Sequence, residues 1–390
     1  MTLIAAPRDT HRARTFLLIA VALVGFTMSL QMALNANFVA DDMHVTGMQQ
    51  GLLESVRESC GILALGVLAL LVGMSEPRIA VMMLVVLSAG VSAYAIVPSF
   101  HWLLVASFVW SQGFHVWVPL PSSMALAISA KGHEGRSLGA LGAAGAIGSV
   151  VALLLALLLN QVGVTIRPMW FVAGAAALLA AAACTQIPRE IIAPRARLII
   201  RKRYGLFYLL QFLEGWRKQI FIAFASFMLV KEYHTPIATM LLLFLAANTL
   251  GWFVAPLVGR CIDRFGERKL LLFYYMTMVA VFASYATVRQ PRILYVLFVL
   301  DSVLFACTMA LTTYVGRLTP PAERTATLSA GVAANHVASV MMPLVGGMLW
   351  QSFGYQWAFY AGAVMATLTL IPVMFIPGKI AANSQCPPLA

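Results

Sequence analysis

Residues 237–269 read IATMLLLFLAANTLGWFVAPLVGRCIDRFGERK, an apolar run that ends in a cluster of charges. No ionisable side chain occurs within 237–259. About 20 consecutive apolar residues suffice for a helix to cross the hydrocarbon core of a bilayer. The stretch therefore predicts a membrane-spanning helix that is followed by a charged loop.

The same pattern recurs along the whole chain of 390 residues, of which 61% are hydrophobic and 10% charged. An average soluble domain has roughly 25% charged residues. The runs are too long for barrel strands and lack their alternation of polar and apolar residues. We predict an all-α polytopic membrane protein with twelve transmembrane helices, the first of them retained rather than cleaved as a signal peptide. The predicted spans are 15–38, 50–73, 79–97, 101–128, 138–160, 168–187, 204–230, 237–259, 270–288, 292–318, 327–350 and 355–377.

The distribution of Lys and Arg predicts the orientation. Most of these residues fall in the two tails and in alternate loops, which by the positive-inside rule face the cytoplasm. We expect both termini to be cytoplasmic, in the cell (inner or plasma) membrane. Topology also explains the net charge of +12 without a nucleic acid partner. The opposite side is predicted to hold only Arg167, Lys231, Arg289 and Arg292.

The longest connection between predicted spans, residues 188–203, contains two prolines and six basic residues. It separates six spans from six. We predict an N-terminal six-helix bundle over 1–187, a cytoplasmic linker over 188–203 and a C-terminal six-helix bundle over 204–390. Attraction of the basic linker to anionic lipid is an alternative explanation of its charge.

Residues 259–269 resemble the G-x-x-x-D-R-x-G-x-R-K loop of the major facilitator superfamily, at the same place between the eighth and ninth helices. The resemblance implies two bundles around a central cavity, with alternating access by rocking of one half on the other. It also implies a gating role for the motif residues, the alternative being that they are ordinary topogenic charges. Glycines permit close approach and tight turns, and the charged groups can pair across helix ends. These gating candidates are Gly259, Asp263, Arg264, Gly266 and Arg268.

Two glycine-containing stretches fit the same family. The fifth span carries Gly139, Gly142, Gly145 and Gly148 on an Ala-rich face, and it is similar to the Gly-rich fifth helix of the superfamily. The eleventh span contains Pro343-Leu-Val-Gly346-Gly347, also frequent in that family. Small residues let membrane helices approach closely, so simple packing is the alternative for both.

Ionisable side chains inside the predicted spans indicate where function should be sought. Each costs about 2.5 to 3.5 kcal/mol on insertion scales, so it normally faces a partner or a water-filled cavity. Those on the second and seventh spans are spaced i, i+3, i+4 and thus share one helix face. These residues are Glu54, Arg57 and Glu58 on the second span, Glu214, Arg217 and Lys218 on the seventh, and Asp301 on the tenth.

Depth separates these candidates. Arg57 is near enough to a helix end to extend its side chain to the interface. Arg217 and Lys218 are predicted near mid-membrane and are our candidates for a pair that binds an anionic substrate; the alternative is an ion-pair network with Glu214. Asp301 is the first candidate for the proton-coupling carboxylate, the alternative being a structural partner of Arg217 or Lys218. The competing carboxylates are Glu54, Glu58 and Glu214.

Uncharged residues complete the predicted substrate site. Polar side chains in membrane bundles also serve as interhelical hydrogen-bond partners, which is the alternative for each. The substrate-binding candidates besides Arg57, Arg217 and Lys218 are Gln112, His115, Trp216, Asn248 and Asn335. Trp170, Trp350 and Trp357 lie nearer helix ends and are predicted to anchor the chain at the membrane interface.

The sequence lacks the motifs of several other classes. It contains no G-x-x-x-x-G-K-S/T phosphate loop, and its five cysteines have no metal-ligand spacing. We therefore expect no enzyme activity, no cofactor and no metal. The leading function is a monomeric secondary transporter that moves a small polar solute, with an anion as the leading class, by alternating access coupled to protons. The alternatives are an exporter of amphipathic drug-like compounds and a non-transporting membrane sensor or assembly partner on the same fold.

Overall fold

The structure, a computed structural model, describes residues 7–130, 132–191 and 200–378. Every regular element within these ranges is helical. The first half contains α1 (Pro7–Asn37), α2 (Gly47–Leu70), α3 (Glu76–Ala93), α4 (Phe100–Trp117), α5 (Leu120–Ile128), α6 (Glu134–Gln161) and α7 (Ile166–Cys184). The second half contains α8 (Gly205–Ile220), α9 (Ser226–Lys231), α10 (Ile237–Phe265), α11 (Glu267–Thr287), α12 (Pro291–Leu304), α13 (Met309–Leu318), α14 (Pro321–Phe353) and α15 (Tyr355–Met374).

Ten helical segments within the described residues are long and apolar enough to cross a membrane. The chain is thus an integral, multi-pass membrane protein. The two predicted spans that are not among the ten are helical as well, and they correspond to α2 and to α8 with α9. These are the segments that carry the two clusters of three charged residues. Their crossing of the membrane stays a prediction.

Several predicted spans are not continuous α-helices. The fourth divides into α4 and α5 at Val118–Pro119, because a proline nitrogen cannot donate the next helical hydrogen bond. The tenth contains a 3₁₀ segment, Phe305–Thr308. The seventh contains a π-helical segment, Phe221–Ala225, and a second one, Phe38–Asp42, extends the first helix beyond its predicted end at residue 38. Such π-helical turns are frequent at functional sites.

The chain divides into two compact units. Unit 1 comprises Met1–Val45, Val56–Arg195 and His234–Asn248. Unit 2 comprises Thr46–Ser55, Ala196–Tyr233 and Thr249–Ala390. The start of α2 thus belongs to unit 2, and the start of α10 to unit 1. The predicted bundle boundaries, 1–187 and 204–390, stay a prediction.

In unit 1 the glycines of α6 pack against α1 over part of their length. A Cβ atom on Gly148 would lie 1.8 Å from the carbonyl oxygen of Ala22, and one on Gly25 would lie 2.4 Å from that of Gly145. Only glycine fits such a backbone contact. Gly139 and Gly142 have open space where a side chain would be. The packing explanation therefore holds for Gly145 and Gly148 and not for Gly139 and Gly142.

Two of the three tryptophans predicted at the membrane interface are instead buried, so that prediction is wrong for them. Trp170 is 0% exposed and lies with Phe38 and Tyr94 in one aromatic cluster, with ring centres 4.7 to 5.5 Å apart. Trp350 is 8% exposed. Trp357, by contrast, is 51% exposed. Apolar contact area inside the units outweighs the preference of an indole for the interface.

In unit 2 the start of α2 packs on α14 through glycines. A Cβ atom on Gly51 would lie 2.2 Å from the carbonyl oxygen of Pro343, and one on Gly347 would lie 2.9 Å from that of Gly47. Gly215 of α8 likewise contacts the backbone of Asn335, where a Cβ atom would come within 2.3 Å. These contacts support the explanation that Pro343–Gly347 serves helix packing. The contact at Gly215 holds α8 against α14.

Candidate functional site

The centre of the candidate site in unit 2 is Arg217, whose side chain is fully buried on α8. Its Nη2 lies 2.6 Å from Glu214 Oε1, and its Nε lies 3.1 Å from Glu214 Oε2. The two residues are spaced i, i+3 and therefore meet on one helix face. Arg217 Nη1 also lies 3.5 Å from Asp301 Oδ1 on α12. One guanidinium thus contacts two buried carboxylates.

Two tyrosines of α11 complete the surroundings of Glu214. The hydroxyl of Tyr275 donates to Glu214 Oε2 at 2.8 Å, and that of Tyr274 donates to Oε1 at 3.4 Å. The Tyr274 ring also faces Arg217, whose Cζ lies 5.3 Å from the ring centre. Both carboxylate oxygens of Glu214 therefore accept hydrogen bonds from two helices. These tyrosines were not among the predicted site residues. Two adjacent hydroxyl groups within an apolar span could have indicated them.

Asp301 has a different environment. It is 0% exposed, and neither carboxylate oxygen has a hydrogen-bond partner among the residues the structure describes. Its ion pair with Arg217 is longer than that of Glu214. If both carboxylates were ionised, the cluster of Arg217, Glu214 and Asp301 would carry a net charge of −1 in a buried place, which costs several kcal/mol. A single proton removes this charge.

These contacts bear on the predicted substrate role of Arg217. The guanidinium is enclosed and committed to two carboxylates, so the geometry favours the alternative of an ion-pair network. The predicted structural partnership of Asp301 with Arg217 has its geometric counterpart in the 3.5 Å ion pair. Whether any of the three residues acts in transport stays a prediction.

Lys218, the next residue on α8, points to another face. Its side chain is partly exposed, and its Nζ donates to Asn335 Oδ1 of α14 at 2.8 Å. Asn335 Nδ2 in turn donates to the backbone oxygen of Gln211 at 3.0 Å. No carboxylate of the described chain lies within ion-pair distance of Lys218. Its charge is therefore solvated by a neutral amide alone, and it can attract an anion.

Two neighbours on α8 offer further polar atoms. Trp216 Nε1 is buried and has no hydrogen-bond partner within the described residues. Gln219 is 0% exposed, and both its amide nitrogen and its amide oxygen lack a partner there. Gln219 was not among the predicted site residues. Buried polar groups are normally satisfied by protein or by ordered water, so these atoms mark an unusual polar region of α8.

In unit 1 the candidate Arg57 lies against an aromatic ring. Its Cζ is 4.6 Å from the centre of the Trp110 ring, and its Nη2 donates to Gln31 Oε1 at 3.3 Å. His115 Nδ1 lies 3.1 Å from the hydroxyl of Ser111, which itself donates to the Arg57 backbone oxygen at 2.7 Å. Helices α2 and α4 thus bring Arg57 and His115 into one polar cluster.

The remaining candidates have varied surroundings. Glu54 belongs to unit 2, is 2% exposed and accepts a hydrogen bond from Gln50 at 3.3 Å. Glu58 is partly exposed in unit 1. Both amide atoms of Gln112 are buried without a hydrogen-bond partner in the described parts of the chain. Asn248 is exposed and donates to the backbone of its own helix, at Phe244, over 2.8 Å.

The predicted gating loop joins α10 to α11. Gly266 caps α11 with φ of +82°, a left-handed value that favours glycine, so its predicted role in a tight turn has a geometric basis. Arg317 of α13 lies 3.1 Å from Glu267 Oε1 and 3.8 Å from Asp263 Oδ1. Arg317 therefore links the ends of three helices. Neither Arg317 nor Glu267 was among the predicted gating residues.

The other motif residues have fewer contacts. Gly259 has nothing within 4 Å of where a Cβ atom would be, so the close approach predicted for it is not observed. Arg264 Cζ lies 5.2 Å from the ring centre of its neighbour Phe265. Arg268 is partly exposed. The gating function of the motif stays a prediction.

A second charged cluster lies at the starts of α8 and α14. Glu323 Oε1 is 3.1 Å from Arg201 Nη2, Glu323 Oε2 accepts from the Tyr204 hydroxyl at 2.7 Å, and Arg203 donates to the same carboxylate. The hydrogen bond from Arg203, followed by that from Tyr204, lowers the pKa of Glu323 below its ordinary value. Here one carboxylate lies between two cations, whereas in the gating loop one cation lies between two carboxylates.

Comparison with known proteins identifies the architecture. The Major Facilitator Superfamily model matches residues 207–388. The nucleoside transporter NupG is 13% identical with a TM-score of 0.77, covering 93% of this chain and 98% of its own. A bacterial homologue of the human lysosomal transporter Spinster, inward-facing and occupied, is 13% identical with a TM-score of 0.74, covering 95% and 97%. A D-xylose–proton symporter is 12% identical with a TM-score of 0.72, covering 96% and 99%.

At these identities the solved structures show the fold, and the sequence match to the family is confined to residues 207–388. No curated protein matches the chain. The family model covers most of the second half, and the fold extends over at least 93% of the chain. The solved structures named above are transporters by title. The chain is a multi-pass membrane protein with the fold of these transporters, and residues 207–388 match the Major Facilitator Superfamily model.

Proposed function

We propose that the chain is a secondary active transporter of a small anionic solute. Transport of the solute is coupled to protons, by symport or by antiport. One observation carries the proposal: α8 places two adjacent cations in opposite electrostatic settings. Arg217 is buried with two carboxylates, whereas Lys218 is partly exposed with none in the described chain. The first setting suits a proton, and the second suits an anion.

The anion argument rests on Lys218. An ammonium in a membrane helix is costly unless a counter-charge or water reaches it. Asn335 supplies one neutral acceptor at 2.8 Å. A carboxylate or phosphate on the solute would supply the missing charge, and a charge-assisted hydrogen bond is worth about 1.5 to 3 kcal/mol. Trp216 and Gln219 add unpartnered donors on the same helix, within the described residues.

The proton argument rests on Asp301. Glu214 accepts hydrogen bonds from Arg217 and Tyr275, while Asp301 has only the longer ion pair with Arg217. The cluster is neutral with one proton and carries −1 without it. Because Arg217 and Lys218 are adjacent on α8, protonation of Asp301 alters the charge balance next to the anion site.

The gating residues fit the same proposal. Arg317, Glu267 and Asp263 form contacts that can break and re-form when helix ends separate, as alternating access requires. We place them, and both termini, on the cytoplasmic side from the distribution of Lys and Arg. Transporters similar in fold carry different solutes by name: nucleosides for NupG, D-xylose for the symporter and organic anions for human MFSD10. MFSD10 is therefore a precedent for an anionic solute on this fold, and the xylose symporter is a precedent for proton coupling.

Proton movement in proteoliposomes tests the proposal with a panel of candidate solutes. Vesicles that contain the purified protein and the pH dye pyranine are exposed to monocarboxylates, dicarboxylates, sugar phosphates, a nucleoside and a neutral sugar. We expect proton flux with at least one anion and none with the neutral compounds. Flux with only neutral compounds would contradict the anion site, and proton-independent uptake of a labelled anion would contradict coupling.

A lysine variant then locates the anion site. Lys218→Ala is expected to raise KM for the anion roughly 10- to 100-fold, the equivalent of one lost charge-assisted hydrogen bond. Lys231→Ala, at the end of α9 on the same helical segment, is the matched control and should leave KM unchanged. An equal change in both variants would remove Lys218 from the site.

A further inference from the structure

A cavity in unit 1 is lined by none of the candidate site residues described above. It has a volume of about 410 Å³ and is bounded by α1, the end of α5, the loop that follows it and the start of α6. Its lining combines basic, hydroxyl and apolar side chains in one concave space. None of these residues enters the proposed transport function.

The charge of this cavity is one-sided. Its lining includes His11 and Arg14 from α1, and His133 and Arg136 from the start of α6, but no acidic residue among those described. Among the residues that the structure describes, neither Arg14 nor Arg136 has a carboxylate within ion-pair distance. Elsewhere in unit 1, Arg167 is paired with Asp42 at 3.0 Å. Two arginines that line one cavity, without a carboxylate partner among the described residues, can together bind an anion.

The rest of the lining is suited to an amphipathic ligand. The hydroxyl of Ser129 donates to that of Ser137, whose own hydrogen can in turn donate to a bound oxygen. Deeper in the cavity, Leu17 and Leu141 are 1% and 8% exposed and supply an apolar wall. A ligand with a phosphate group and a hydrocarbon part matches both regions.

We propose that this cavity binds the phosphate headgroup of an anionic phospholipid. Arg14 and Arg136 contact the phosphate, Ser137 donates to one of its oxygens, and the first carbons of the acyl chains lie against Leu17 and Leu141. Basic pockets between membrane helices are known to receive lipid phosphates in this way. Each arginine is expected to contribute roughly a fivefold factor to affinity, the equivalent of about 1 kcal/mol.

Native mass spectrometry of the purified full chain in neutral detergent tests the proposal. The protein is titrated with phosphatidylglycerol, with phosphatidylcholine of the same acyl chains, and with glycerol 1-phosphate, which has the phosphate without the chains. We expect one tight site for phosphatidylglycerol and weaker binding of phosphatidylcholine. Equal saturation of the site by glycerol 1-phosphate would overturn the lipid assignment and identify a soluble phosphate ester as the source of the same chemistry.

Three variants assign the binding to the cavity. Arg14→Gln with Arg136→Gln should weaken binding of phosphatidylglycerol roughly 25-fold, and Ser137→Asp should weaken it by placing a negative charge in the cavity. Arg78→Gln, an exposed arginine on α3 outside the lining, should leave it unchanged. The proposal is overturned if no tight site exists, or if the cavity variants bind as the Arg78→Gln protein does.

Discussion

Removal of Arg217 is the sharpest test of the buried ion-pair network. Arg217→Ala deletes contacts of 2.6 Å to Glu214 and 3.5 Å to Asp301, and it leaves two carboxylates fully enclosed without a cation. Breaking a buried ion pair by removal of one partner costs about 3 to 5 kcal/mol. We therefore expect Arg217→Ala to lower the free energy of unfolding by about that amount, and not only to slow transport.

Neutral replacements separate the charge effect from lost packing. Arg217→Met with Glu214→Gln and Asp301→Asn contains no buried charge, keeps an acceptor for Tyr275, and should recover most of the lost stability. Lys218→Ala is the matched control on the same helix. It removes one partly exposed hydrogen bond to a neutral amide and should cost about 1 kcal/mol.

The assay is unfolding of purified protein in detergent, followed by circular dichroism across a denaturant series. The four proteins are compared under one condition, so that changes in the midpoint report stability. An Arg217→Ala protein as stable as wild type would refute the network. A triple variant no more stable than Arg217→Ala would show that packing by the long arginine side chain, and not charge pairing, is what matters.

Three further predictions concern the helix ends. Gly266→Ala should lower the free energy of unfolding by about 1 to 2 kcal/mol because Gly266 has a φ of +82°. Gly259→Ala should be neutral or slightly stabilising because the position of its Cβ atom is open space. Thermal unfolding of the two variants tests this difference. Arg203 lowers the pKa of Glu323, so the stability that this pairing adds should be fully present above pH 4.5 and lost as the pH falls below it. Thermal unfolding measured from pH 3 to pH 7 should show this loss in the wild-type protein and not in Glu323→Gln. Arg317→Gln should change the maximal rate of transport while the affinity for solute stays the same, and a change in affinity alone would contradict a gating role.

The helices were largely predictable from the sequence because each one satisfies its backbone hydrogen bonds internally and shows this as an apolar run. The interruptions were less predictable. Pro119 gave a visible signal for the division between α4 and α5, but no composition signal marks the π-helical segment 221–225. The residue at which a helix changes from α to π geometry depends on its packing against other helices, which the local sequence pattern does not show.

Side-chain partners were the least predictable part of the site. The i, i+3 spacing predicted contact between Glu214 and Arg217, which is local. The spacing could not show which of Arg217 and Lys218 would be enclosed, because that depends on the rotation of α8 about its axis. Partners from other helices, such as Tyr275 and Arg317, require the tertiary packing.

Asp301→Asn tests most directly the central claim that Asp301 binds the coupled proton. This variant mimics the protonated carboxyl and keeps the cluster neutral beside Arg217 and Glu214. In liposomes loaded with the anionic solute, it should exchange labelled solute across the membrane at a rate near that of wild type. When a pH step is imposed, it should fail to accumulate solute against a gradient. Accumulation equal to that of wild type would contradict the claim and pass the role to Glu54 or Glu58.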